Sequence, residues 1–342
     1  MTFVSVCGGA RGTLEEEELS IKKPLLLVGI GGVGSKITTA ASTALECKCL
    51  LISNDKKDLV QNEKCTAILV GCGEWVNPSS YKLRSYVQAH RNEIASAMSG
   101  YSTVILVSNL GGRAGTAMAP LVSRMARESS ATVISIAIMP FTYEKDRIFN
   151  AGTALRRVRE VSDSTIVMDN DAFLDNNPQL CQQECFTITN SAIIEVITSI
   201  FAGMIRPAMN VLCTSRANLK SESSLRDSLA MLYDAVPDAG TVKRAMIYVM
   251  GSERVPVGEL NKMVGYVQRL FKEDGAIEVG MAASMSSSSS SSNGVRVHLV
   301  ASAPQKTRFD RYDPLGDIIP DVLDWDEPDS APDIKLAIPT IE

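Results

Sequence analysis

Glycines mark the places where this chain's backbone can approach an anion. Residues 28–36 read VGIGGVGSK after the apolar run Pro24-Leu25-Leu26-Leu27. Gly29-x-Gly31-x-x-Gly34 fits the GxGxxG spacing of a dinucleotide-binding turn, and Asp55 follows about where a ribose-binding acid belongs. By itself this points to an NAD-type oxidoreductase. A second glycine pair, Gly71 and Gly73, and a third cluster, SNLGGRAGTAMAP at residues 108–120, complicate that reading. Small residues let backbone N–H groups meet an anion, and a helix beginning there adds partial positive charge. One such loop serves a dinucleotide. Three at the ends of neighbouring strands suit the larger charge of a triphosphate, although glycines also serve tight strand-to-helix packing.

Other chemistries have few candidates. The eight cysteines offer only Cys47-x-Cys49 and Cys181-x-x-x-Cys185 as close pairs, and neither has zinc-site spacing. No metal site is expected, and buried reduced thiols are. Only His90 and His298 are available for acid–base catalysis. The net charge of −5, with no basic cluster, argues against a general nucleic-acid binder. There is no apolar run of about 18 residues and no secretory leader pattern. A cytoplasmic protein without direct membrane insertion is therefore expected.

The positioning elements follow from hydropathy. Continuous apolar strands are predicted at 24–30, 49–52, 66–70, 103–107, 132–138 and 164–167, alternating with helices. Gly31 to Ser35 reads as a turn, 36–45, 79–98 and 146–162 as helices, and another helix runs to about Glu128. This is an α/β pattern: a buried parallel sheet with helices on both faces. A long helix over 187–204 closes this half. Beyond it come helices at 221–234 and 258–272 and strands at 244–249, 276–281 and 295–301, read as a smaller sheet domain. Seven serines, 286–292, precede Asn293-Gly294 and read as a hairpin tip. The acidic N-terminal arm is read as solvated. From Asp313 onward there are nine acidic residues and one lysine, a composition that does not fold alone.

In order along the chain, several segments resemble the FtsZ/tubulin superfamily. SNLGGRAGTAMAP resembles its GGGTGTG-x-x-P loop, VGIGGVGSK its first glycine loop, and SNDKKDL its NTDxxxL segment. MPFTYEKDR, DNDAFL and MIRPAMNV resemble KPFxFE, PNDxL and LITxPGxxNxD. AIPTI near the end resembles DIPxFL. The likeness spans about residues 24–303. It implies a two-domain tubulin/FtsZ-like α/β fold: an arm at 1–20, a Rossmann-like nucleotide domain at 21–186 and a central helix at 187–206. A smaller α+β domain at 207–304 and an acidic tail at 305–342 complete it. It also implies GTP or GDP, with Mg2+ as a companion. The implied contacts are Gly31, Gly32, Gly34, Ser35, Lys36, Asn54, Asp55, Gly71, Gly73, Gly111, Gly112, Arg113, Ala114, Gly115, Thr116, Glu144, Arg147, Phe186, Asn190 and Ser191. Head-to-tail filaments with itself or an FtsZ-family homologue are implied as well. So is a membrane adaptor or division protein recruited through residues 334–341.

Departures from that pattern fall at sensitive positions. The family's N-x-D-x-x-D catalytic loop reads Asn210-Val211-Leu212-Cys213-Thr214-Ser215 here, with both aspartates gone. Neither Leu212 nor Ser215 can act as a general base, so slow or absent GTP hydrolysis is expected. Arg113 replaces a loop glycine, and either reaches a phosphate or blocks the site. Lys36 and Ser191 stand where the family reads guanine. The expected function is an FtsZ-like cytoskeletal nucleotide-binding protein in cell division or cell shape. The alternatives are a nucleotide-free scaffold or regulator and an NAD-type oxidoreductase.

Overall fold

A computed structural model describes residues 19, 21–60, 63–71, 78–171, 174, 177–200, 208–238, 241–251, 255–271, 278–285, 294–303 and 307–314. Six apolar segments form parallel strands: β1 (Leu25–Ile30), β2 (Lys48–Ser53), β3 (Cys65–Leu69), β4 (Thr103–Asn109), β5 (Thr132–Met139) and β6 (Ser164–Asp169). The helices between them are α1 (Gly31–Leu45), α2 (Ser80–Ala89), α3 (Arg91–Met98), α4 (Arg113–Glu128) and α5 (Lys145–Val161). Every residue of β1, and nearly every residue of β4 and β5, is buried. That burial explains why these strands read as unbroken apolar runs.

The second half adds α6 (Gln182–Ile200), β7 (Ala208–Thr214), α7 (Ser221–Ala235), β8 (Arg244–Gly251), α8 (Val257–Leu270), β9 (Glu278–Met285) and β10 (Val295–Ser302). Its strands do not stand apart as a separate sheet. β7 pairs in parallel with β6, so one ten-stranded sheet runs β3-β2-β1-β4-β5-β6-β7-β10-β8-β9. β10 lies antiparallel between β7 and β8. A half-buried network also ties α6 to this part of the sheet. The fully buried His298 contacts Thr214 Oγ1 at 2.8 Å through Nδ1 and Glu195 at 2.6 Å through Nε2. Glu195 also pairs with Arg296 at 2.6 Å.

Several local expectations change. α1 starts at Gly31, so the predicted turn is the helix's first residues. The helix expected over 79–98 is two helices broken at His90, whose backbone leaves helical geometry at φ −96° and ψ 12°. The His90 ring nitrogen Nδ1 bonds the Tyr86 carbonyl across that break. The central helix begins at Gln182. The serine run 286–292, the arm 1–18 and the segment 315–342 lie outside the described residues.

The expectation that all the thiols stay reduced fails at one pair. Cys49 and Cys65 are register partners on β2 and β3, with Cα atoms 4.6 Å apart, and form a disulfide. Facing positions on adjacent strands bring the sulfurs together although 16 residues separate them in sequence. Among the described free cysteines, Cys181 is exposed and Cys213 is buried. Burial, reinforced by Asp169 and Asp234, pushes the Cys213 thiol far above its ordinary range. Native alkylation followed by peptide mass mapping should therefore modify Cys181 and leave Cys213 untouched.

The acidic tail begins later than composition suggests. Residues 307–314 pack against the body, with Phe309 buried in a turn at Arg308–Tyr312. Arg308 pairs with Asp169 at the end of β6, Arg156 with Asp313 at 2.9 Å, and Arg159 with Asp310 at 3.0 Å. The acids at the start of this segment are neutralised by arginines on α5, which a count along the chain does not register. Gly152 of α5 makes room for it: a Cβ there would lie 2.5 Å from the Tyr312 carbonyl carbon.

Candidate functional site

The carboxyl ends of β1, β4, β5 and β6 meet the N-terminal half of α6 around a cavity of about 310 Å³. Two helices begin beside it, α1 with residues in the lining and α4 just after the lining residue Asn109, and neither start is closed by a side chain among the described residues. α1 has Ile30 before it, α4 has Gly112, and neither helix has an acidic residue in its first turn. Their free N–H groups and dipoles favour an anion. The two starts touch: a Cβ on Gly31, at φ +67°, would lie 3.0 Å from the Ala114 Cβ.

The glycines divide into two roles. A Cβ on Gly34 would lie 2.4 Å from the Val107 carbonyl oxygen, and one on Gly115 would lie 2.0 Å from the Asn109 carbonyl oxygen. Those two are needed for close packing of helix on strand. Gly32 is different, since it is exposed and lines the cavity. What stands over it is acidic. A Cβ there would lie 2.7 Å from the Asp58 Oδ1. Asp58 is held by the Ser53 hydroxyl, which donates to Oδ2 at 2.7 Å.

The far wall is polar and aromatic. Phe186 lines the cavity and leans on Phe141, with ring centroids 5.5 Å apart. Asn190 and Thr189 lie beside it on α6, and Asn170 follows β6. Asn170 is fixed at both ends of its amide: Nδ2 donates to the Met139 carbonyl at 2.9 Å, and Oδ1 accepts from Thr189 at 3.2 Å. Lys36 reaches the rim and supplies a positive charge there.

Of the residues expected to bind, Gly32, Lys36, Phe186 and Asn190 line this cavity. Gly31, Gly34, Gly111, Gly112, Ala114 and Gly115 lie in the turns and first residues of α1 and α4 beside the cavity and are not among its described lining residues. Ser35 is buried, its hydroxyl without a hydrogen-bond partner among the described residues. Thr116 turns its hydroxyl back to the Leu110 and Gly112 carbonyls, at 2.6 and 2.8 Å. Arg113 is exposed and is not among the described residues that line the cavity. Asp55 caps the turn at Lys56–Asp58 by accepting from Lys57 N, and leaves Asp58 as the acid in the cavity. Glu144 and Arg147 pair with each other at 2.6 Å outside the lining, and Asn54 and Ser191 are likewise outside it. Gly71 packs on the Tyr86 ring, and Gly73 lies outside the described residues. Asp58, Asn109, Asn170 and Thr189 are additions that the sequence reading misses. The rule that ligands sit beyond the carboxyl ends of parallel strands points to Asn109 and Asn170.

The segment expected to be a catalytic loop is no loop. Asn210 and Leu212 lie inside β7, and Ser215 follows directly; all three are buried. Asn210 Nδ2 donates to Ser164 Oγ at 3.0 Å, and Ser215 Oγ accepts from Val297 N at 2.9 Å. Leu212 is the register partner of Met168 on one side and Val300 on the other. In this fold none of the three is exposed.

Fold and site together define a doubly wound α/β protein with glycine turns gathered at the carboxyl edge of its sheet. Residues 24–178 match the Tubulin/FtsZ family, GTPase domain. The Cell division protein FtsZ 1 of Halobacterium salinarum is 30% identical over 210 residues, covering 58% of this chain and 53% of that protein. The Cell division protein FtsZ 1 of Pyrococcus horikoshii is 28% identical over 198 residues, covering 55% and 53%. The chain thus spans about half the length of the curated relatives it matches. Among solved structures, an empty FtsZ dimer from M. jannaschii superposes with a TM-score of 0.67 at 22% identity, covering 83% of this chain and 89% of that one. A GTPgS-bound protofilament of CetZ2 from Haloferax volcanii superposes with a TM-score of 0.60 at 19% identity, covering 84% and 97%. Residues 24–178 are thus similar to the GTPase domain of the Tubulin/FtsZ family, and the chain has the fold of the FtsZ and CetZ structures.

Proposed function

We propose that this chain is an FtsZ/CetZ-like cytoskeletal protein that binds a guanine nucleotide at the carboxyl edge of its sheet and joins head-to-tail filaments. Cell division or cell shape is the process it would serve. The observation that carries this reading is the meeting of two uncapped helix starts, α1 and α4, beside one cavity walled by Phe186 and Asn190. Gly32 and the two helix starts would hold phosphate, Lys36 would add charge at the rim, and Phe186 would stack on the base. The solved CetZ2 relative is a GTPgS-bound protofilament, which supports both parts of the reading.

Hydrolysis is slow or absent in this proposal. The segment that resembles the family's catalytic loop is a core strand and carries no carboxylate. Among the described residues that line the cavity the only carboxylate is Asp58, and it stands over Gly32 rather than facing outward. Mg2+ would accompany the nucleotide and offset that charge.

Calorimetry with GTP in the presence of magnesium, with ATP and NAD as controls, tests the reading. GTP binding in the micromolar range is expected. Asp58→Ser should tighten it by roughly tenfold, because a like charge near the phosphates is removed. Failure of both proteins to bind GTP would leave a scaffold without nucleotide, and NAD binding would replace the proposal by an oxidoreductase. The acid at Asp58 is the observation that favours the scaffold as the second reading.

A further inference from the structure

Away from the cavity, α7 and α8 enclose a second hollow of about 250 Å³ on the surface. Its floor is apolar: Leu225 and Met263 are buried, and the exposed Tyr266 ring forms one side. Its rim is basic. Arg226 comes from α7, while Lys262 and Arg269 come from the exposed face of α8, with Glu222 as the single acid among the described lining residues. Lys262, Tyr266 and Arg269 recur at helical spacing, so they share one face of α8. No ion pair is made by Arg226, Lys262 or Arg269 among the described residues. An apolar floor with an aromatic side wall, ringed by three cations, suits an acidic peptide that carries an aromatic side chain.

The chain itself contains such a peptide. Residues 315–342 follow the docked segment and lie outside the described residues; within them is Asp324-Trp325-Asp326-Glu327. Their starting point is close by, because the turn at Arg308–Tyr312 packs against α7, the helix that carries Arg226. Fully extended, the chain from Pro314 to Trp325 reaches about 36 Å, ample to cross from one side of α7 to the other. We propose that the hollow between α7 and α8 is the docking site for this chain's own acidic segment around Trp325. Trp325 sits on Tyr266 and Met263, and the flanking acids meet Arg226, Lys262 and Arg269. This inference does not rest on nucleotide binding.

Trp325 also provides the probe. In the full chain carrying Trp75→Phe it is the sole tryptophan. Acrylamide quenching should find it protected at low salt and released at high salt, since exposed ion pairs are screened. Arg226→Glu/Lys262→Glu/Arg269→Glu should weaken docking by roughly tenfold or more. The tail variant Asp324→Asn/Asp326→Asn/Glu327→Gln should do the same without touching the folded body. Reversing the charge of both partners together should restore protection, which no loss of folding could produce. Equal quenching in the parent and both variants would overturn the proposal. So would protection that appears only as protein concentration is raised, because the segment would then come from a second copy.

Discussion

Leu212→Asp is expected to abolish stable folding, not to restore hydrolysis. Aligned with the family's catalytic loop, the substitution would return a carboxylate to an exposed position and raise phosphate release. In β7 the side chain is fully buried, with Met168 of β6 and Val300 of β10 as its strand partners. An unpaired carboxylate there, or a protonated one without partners, costs on the order of 3–5 kcal/mol. That is a large share of the roughly 5–15 kcal/mol available to a folded domain. Circular dichroism with urea titration should show a collapsed midpoint or no transition. A variant that kept its midpoint and gained turnover would show that residues 208–215 leave the sheet to act at a filament contact.

The second large effect is expected at Arg308. Its guanidinium pairs with Asp169, which is 1% exposed, and stands 4.0 Å from Asp171. Arg308→Met deprives a buried carboxylate of that partner, and a loss of about 3–5 kcal/mol is expected. Asp169→Asn placed in the same chain should recover much of it, because the remaining amide carries no charge. A double-mutant cycle on urea midpoints measures the coupling. Additive losses would mean that the Arg308–Asp169 pair contributes nothing to holding the docked segment. The damage in Arg308→Met should also reach the cavity, since Asn170, one residue after Asp169, lines it and holds Thr189.

Much of the first half is legible in the chain. Continuous apolar runs such as Val104 to Val107 have no polar face to give away, and only a strand covered on both sides accommodates them. The glycine spacing is legible as well, but not its division of labour. Gly34 and Gly115 are bare because carbonyl oxygens press on them, whereas Gly32 is bare beside a carboxylate. Only three-dimensional neighbours distinguish those cases. β7 escapes for a different reason. The run Val211-Leu212-Cys213 has the composition of a buried strand, but its place after MIRPA matches a loop pattern, and the resemblance outweighs composition there. Long-range pairings are not readable at all. Asp169 with Arg308 and Cys49 with Cys65 leave no periodic trace in the chain.

The place of β10 in the sheet has a consequence for how the chain is made. β7 is complete only when β10 lies against it, and β8 needs the same strand on its other side. At roughly 5–20 residues per second, the ribosome takes several seconds to pass from Thr214 to Ser302. For that interval the nascent chain carries β7, and from Gly251 onward β8 as well, with open edges rich in apolar side chains and ready to pair with any other strand. The sheet cannot close from the N-terminus onward; it waits for the last of its described strands. A chain that stops short of residue 295 is therefore left with two sticky edges where the finished protein has none, and belongs to the clients of chaperones and proteases rather than to the pool of assembled protein.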